Sequence, residues 1–148
     1  MTLAEKSKTF LDYIETWLAT LPSLTLDEAL PNPEKSAIIS VDVINGFLYE
    51  GALASPRVAA IDAPITNLMK GAWERGLRDI LLVQDAHDEG TLEFKEFGPH
   101  ALKGSVEAET IDLIKELPFF GQITIFNKDS IHPALNTSFD AWLGERDD

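Results

Sequence analysis

The chain has 148 residues, 45% apolar and 25% charged, with 25 acids against 12 bases, a net charge of −13 and no cysteine. That length supports one domain with a real core; the acidity speaks against a nucleic-acid partner, whose phosphates it would repel; and the missing thiols exclude disulfides, cysteine-bound metals and a thiol nucleophile within these residues. No apolar run approaches the roughly 20 residues of a membrane span, and the polar start at residues 1–8 is unlike a signal peptide, so a soluble, cytoplasmic protein with no membrane partner is expected.

Residues 2–21 are predicted to form an amphipathic helix. Thr2 followed by Glu5 has capping-box spacing, and Phe10, Tyr13, Ile14, Trp17, Leu18 and Leu21 recur at three- and four-residue intervals until Pro22 ends the pattern. Residues 22–36 hold three prolines and read as a connecting segment. Residues 1–36 are thus set apart from a main domain over 37–148. The run AIISV at 37–41 is short, apolar and β-branched, as in a buried parallel strand. A loop punctuated by Gly46 and Gly51 leads to a predicted helix over 58–75, which Gly76 closes. A second strand over 80–83 is followed by a loop from 85 to 105, long enough to suggest a functional segment. A helix over 106–117, a third strand over 123–126 and a short helix capped by Thr137 and running to 143 complete the pattern.

Apolar strands alternating with helices predict an α/β fold: three layers, α/β/α, around a parallel sheet, with right-handed crossovers. Three strands make a thin sheet for this class. Trp17, Trp73 and Trp142 sit on predicted helix faces and read as core.

In open α/β sheets, ligands bind beyond the carboxyl ends of the strands. Asp42, Asp85 and Lys128 each follow a different strand, so they meet on one rim if the strands are adjacent. A single acid at a strand end commonly caps the next loop; three polar groups on three strands point to a site. His87 and His100 share the long loop with Asp85. Carboxylate and imidazole suit Zn²⁺, Fe²⁺ or Mn²⁺, and residues two apart on an extended segment can reach one ion. The other reading is two exposed histidines in a mobile loop. His132 reads as a loop residue. There is neither a glycine-rich dinucleotide fingerprint nor a serine nucleophile elbow, so no nucleotide cofactor is expected.

Four segments, AIISVDVINGFLYEGAL (37–53), LLVQDAHD (81–88), EFGPHALKGS (96–105) and IFNKDSIHPALNTSFDAWL (125–143), occur in the order and spacing that resemble the isochorismatase/nicotinamidase-like cysteine hydrolases. The resemblance implies their Rossmann-like fold and action on a small amide or related substrate. It implies that Asp42 is the acid/base beside a cysteine thiol and that Lys128 supports the charged states of that pair. It also implies that Asp85, His87 and His100 hold a divalent metal (Zn, Fe or Mn), that Phe47 and Phe97 line the substrate ring pocket, and that the protein is a homo-oligomer. Gly46 stands where nicotinamidases usually have an acid. The family's cysteine follows a fourth strand that these 148 residues do not contain, so the chain as it stands is expected to be truncated and inactive. The alternative is a non-catalytic module that binds a small molecule or metal, or oligomerises through its open sheet edge.

Overall fold

The computed structural model describes residues 2–146, which fall into two units, Met1–Pro31 and Asn32–Asp148. In the first, helix α1 spans Leu3–Thr20. The Thr2 hydroxyl accepts the Glu5 N–H at 3.2 Å and the Glu5 carboxylate accepts the Thr2 N–H at 2.6 Å, so two otherwise orphaned donors are satisfied reciprocally. The same device, Thr25 with Glu28, starts α2 (Leu26–Ala29), a helical turn inside what the sequence suggests is irregular connection. No residue of α1 is buried, and Trp17 is 48% exposed rather than part of a core. One helix and one turn are too little chain to enclose a core of their own.

In the second unit, β1 (Ala37–Val41), β2 (Asp79–Asp85) and β3 (Thr124–Lys128) form a parallel sheet in that order. The register sets Val41 beside Val83 and Asp85 beside Lys128. Short helices α3 (Asn45–Leu48) and α4 (Pro56–Ala59) and the longer α5 (Asp62–Glu74) lie between β1 and β2 in the chain. Helices α6 (Phe94–Phe97) and α7 (Asp112–Lys115) lie between β2 and β3, and α8 (Phe139–Gly144) follows β3. Ile80 to Val83 of the central strand are fully buried, which explains their unbroken apolar run. Leu81, Val83 and Phe126 make a cluster that Phe139 and Trp142 of α8 cover. Next to Leu81 and Val83 in register, Ile39 and Val41 of β1 remain 43% and 56% exposed, so α8 covers that face only in part.

Two predicted helices are divided. The helix expected over 58–75 breaks at Ala60 and Ile61. Pro64, four residues on from Ala60, has no N–H and would clash with its carbonyl, so the chain restarts with Pro64 in the first turn of α5. The helix expected over 106–117 is a single 3₁₀ turn, Val106–Ala108, then an extended stretch, then α7. Long-range hydrogen bonds replace the helical ones there: Thr110 bridges to Ile44, the Asn45 N–H donates to the Glu109 carbonyl at 2.9 Å, and the buried Thr110 hydroxyl donates to Gln84 Oε1 at 2.9 Å. The Thr137 hydroxyl accepts the Phe139 N–H at 3.2 Å from two residues before the start of α8, whose N-cap position is Ser138 rather than the expected Thr137. No helix among the described residues is long and apolar enough to cross a membrane.

Candidate active site

Each strand delivers one polar side chain to the same rim. Asp85 and Lys128 are the last residues of β2 and β3 and are direct neighbours in register. Asp42 comes immediately after β1, at φ 56°, a left-handed conformation that aspartate tolerates better than most residues. That turn aims its carboxylate back across the sheet: Oδ1 accepts the Asp85 N–H at 2.9 Å, and Oδ2 lies 3.2 Å from Lys128 Nζ. Lys128 Nζ also forms a buried ion pair with Asp85 Oδ1. One ammonium therefore sits between two carboxylates contributed by the other two strands.

Burial and the neighbouring Asp85 charge push the Asp42 carboxyl above the usual carboxylate range, against the opposing pull of Lys128. For Lys128, burial works to lower its pKa, but the bonds to Asp85 and Asp42 outweigh it and the ammonium titrates above its ordinary value. The outcome is a carboxylate more basic than usual beside a cation that stays charged.

The long loop after β2 is held by backbone pairing. The His87 N–H donates to the Ala101 carbonyl and the Lys103 N–H to the His87 carbonyl, both at 2.9 Å, which folds residues 100–103 back against the end of β2. His100 thereby meets His87, with ring centroids 4.7 Å apart, and Phe94 packs edge-on against both rings. Ligand atoms of Asp85, His87 and His100 all lie within 4.8 Å of one another, and all three residues are buried. His87 Nδ1 lies 3.1 Å from Asp129 Oδ1, and His100 Nδ1 lies 2.9 Å from the Gly98 carbonyl. An acceptor at each Nδ1 places the proton there and leaves Nε2 a bare lone pair. The buried His87 Nε2 has no hydrogen-bond partner among the described residues, an arrangement that costs free energy unless something occupies the point where these atoms converge. The donor set of one carboxylate and two imidazoles suits a divalent metal, with coordination positions left for water or substrate.

Asp42, Phe47, Asp85, Phe97, His100 and Lys128 line one cleft of about 520 Å³. The Phe47 ring is 5.9 Å from His100, and Phe97 stands 57% exposed at the mouth. His132 is exposed, and its Nδ1 accepts the Ala134 N–H at 3.2 Å, so it shapes its own turn. Trp73 stacks on Phe119, and Trp142 carries Arg146 over its ring.

No protein-family model matches the chain, and no curated protein matches it. Solved structures do. It is similar to N-carbamoylsarcosine amidase from Thermoplasma acidophilum (26% identity, TM-score 0.64, over 74% of this chain and 60% of that one). It is similar as well to nicotinamidase from Bacillus subtilis (26%, 0.62, over 76% and 66%) and pyrazinamidase/nicotinamidase from Streptococcus mutans (28%, 0.61, over 74% and 65%). The chain has the fold of the isochorismatase/nicotinamidase-like hydrolases. It spans less than two thirds of the length of these relatives. A pyrazinamidase from Pyrococcus horikoshii with the same fold was solved in complex with zinc.

Two side chains to which sequence reasoning gives no role support this isochorismatase-like rim. Asp129 holds His87. Glu107 Oε2 accepts the Ala101 N–H at 2.9 Å and so anchors the residue after His100, itself at a strained φ of 43°. Gly46 and Gly51 are small for the same reason: a Cβ would stand 3.0 Å from the Glu107 backbone oxygen at Gly46 and 2.5 Å from Glu107 Oε1 at Gly51. The room that a side chain would need at 46 is thus taken by Glu107.

Proposed function

We propose that these residues form the acid/base and metal-holding part of a hydrolase acting on small amides or related substrates. The observation that carries this reading is the chain of neighbours from Asp42 through Lys128 and Asp85 to His87, whose ring packs on His100, with Asp42, Lys128, Asp85 and His100 lining one cleft. In this reading Asp42 takes the proton of a cysteine thiol and passes it to the departing amine, work for which its raised pKa suits it. Lys128 keeps Asp42 in place and offsets negative charge as the thiolate forms. Asp85, His87 and His100 would hold a divalent metal (Zn²⁺, Fe²⁺ or Mn²⁺), which would supply Lewis acidity towards a polar atom of the substrate. Phe47 and Phe97 press the substrate between apolar surfaces. The 148 residues contain no cysteine, so the thiol comes from outside them.

The test is ammonia release from nicotinamide, pyrazinamide and an N-carbamoyl amino acid by the protein as its cell makes it. Activity lost in Asp42→Asn is the expected result; an Asp42→Asn variant with unchanged kcat overturns the assignment. The missing cysteine also favours a second reading, a non-catalytic module that binds a metal or small molecule in the same cleft. Saturable amide binding without turnover in the native protein would support it. Among the described residues the outer edges of β1 and β3 are both unpaired, and another copy in a homo-oligomer would add at such an edge.

A further inference from the structure

We propose that Asp129 is a positioning residue that sets the tautomer of His87 and with it the metal affinity of the cluster; this rests on the metal-holding role given above to Asp85, His87 and His100. The His87 side chain is wholly buried, whereas that of Asp129 is 29% exposed, so an ionised carboxylate is affordable at 129 and reaches inward to the ring. Its Oδ1 lies 3.1 Å from His87 Nδ1 and also accepts the Asp88 N–H at 3.1 Å. An ionised carboxylate only accepts, so Nδ1 must carry the proton. Nε2 is then left as the lone pair, 3.6 Å from Asp85 Oδ1 and without a hydrogen-bond partner among the described residues. A carboxylate behind an imidazole also fixes the ring's orientation.

The placement couples two ligands to one short piece of chain. Lys128 grips the Asp85 carboxylate and the next residue, Asp129, grips His87. The end of β3 therefore orients two of the three ligands that β2 and its loop provide. Among the described residues Nδ1 is given no other partner, so removing the Asp129 carboxylate frees the ring to carry its proton on Nε2, the tautomer that cannot bind a metal at that atom.

The experiment uses the 148-residue chain, with Zn²⁺ as the probe in competition with a chromogenic chelator, and ¹⁵N NMR of the imidazoles of the metal-free protein. Asp129→Ala is expected to raise the Zn²⁺ Kd by about 10- to 100-fold and to shift His87 from the Nδ1–H form towards a mixture. Asp129→Asn, which keeps an oxygen acceptor, is expected to lose less. Asp88→Asn, which leaves the backbone N–H in place, is expected to change neither quantity. An Asp129→Ala variant with wild-type Kd and an unchanged His87 tautomer overturns the proposal. If Asp129→Ala does not fold, Asp129→Leu, which likewise offers His87 no acceptor, decides it, and an unaltered Kd and tautomer there overturn it. If the wild-type chain binds no Zn²⁺, the metal-holding role itself falls, and the tautomer in the metal-free protein still decides whether Asp129 positions His87.

Discussion

In the N-terminal unit the side-chain hydrogen bonds that shape the chain, Thr2 with Glu5, Thr25 with Glu28 and Lys8 with Asp12, span three or four residues. At the strand ends the corresponding bonds span 43 residues from Asp42 to Asp85, 43 from Asp85 to Lys128 and 42 from His87 to Asp129. The first kind forms whenever a helix forms. The second exists only when three strands are paired in register, so the site and the sheet are one cooperative object. Perturbing a cap should stay local, while perturbing the rim should be felt through the second unit.

The largest expected effect is at Lys128. Lys128→Met leaves the Asp42 and Asp85 carboxylates without the cation between them, and breaking a buried pair in this way costs about 3–5 kcal/mol. Denaturant unfolding followed by near-ultraviolet circular dichroism measures it. An unchanged midpoint would mean that the rim is not coupled to the sheet. Next is Gly51→Ala. Its φ of 90° and the 2.5 Å approach to Glu107 Oε1 make any side chain strained. A loss of about 2 kcal/mol is expected, with faster hydrogen exchange at the Ala101 amide that Glu107 accepts.

A smaller and local effect is expected from Thr2→Ala. Losing the cap costs about 1 kcal/mol of helix stability. The first turn of α1 should then exchange faster, while the denaturation midpoint of the second unit stays where it was. A shift in that midpoint would break the contrast. The smallest effect concerns Tyr49, whose hydroxyl donates to Asp62 Oδ2 at 2.6 Å; that bond pushes the phenol up to about 12. Because the folded pKa is raised, the stability from this bond is fully present below the ordinary tyrosine range and is lost as pH rises through about 12. Phenolate absorbance in a Tyr13→Phe background should show the late titration, and Asp62→Asn should return it to the ordinary range.

The same division explains what was legible in the sequence. The Thr2–Glu5 box, the three strands and the rim position of Asp42, Asp85 and Lys128 follow from local pattern plus the rule that sites lie beyond strand ends. Pro64 was a visible signal for the break before α5, and the helical periodicity around it masked that signal. The segment 106–117 was not legible as it folds, because Thr110 and Glu109 bond to Gln84 and Asn45, whose positions depend on the whole sheet. Glu107 and Asp129 were hidden for the same reason: nothing near them in sequence says that one meets Ala101 and the other His87. Asp129 could have been found by asking which acid next follows a strand-end lysine. The apolar stripe of α1 correctly marked a helix, yet none of its residues is buried. Periodicity reports a face suited to burial, and burial needs a surface to meet it.

Whether Asp85, His87 and His100 act as one metal-binding set is open to direct titration. Calorimetric titration of the chain with Zn²⁺ is predicted to give saturable one-to-one binding that His87→Ala removes. No saturable binding, or binding that persists undiminished in His87→Ala, would contradict it.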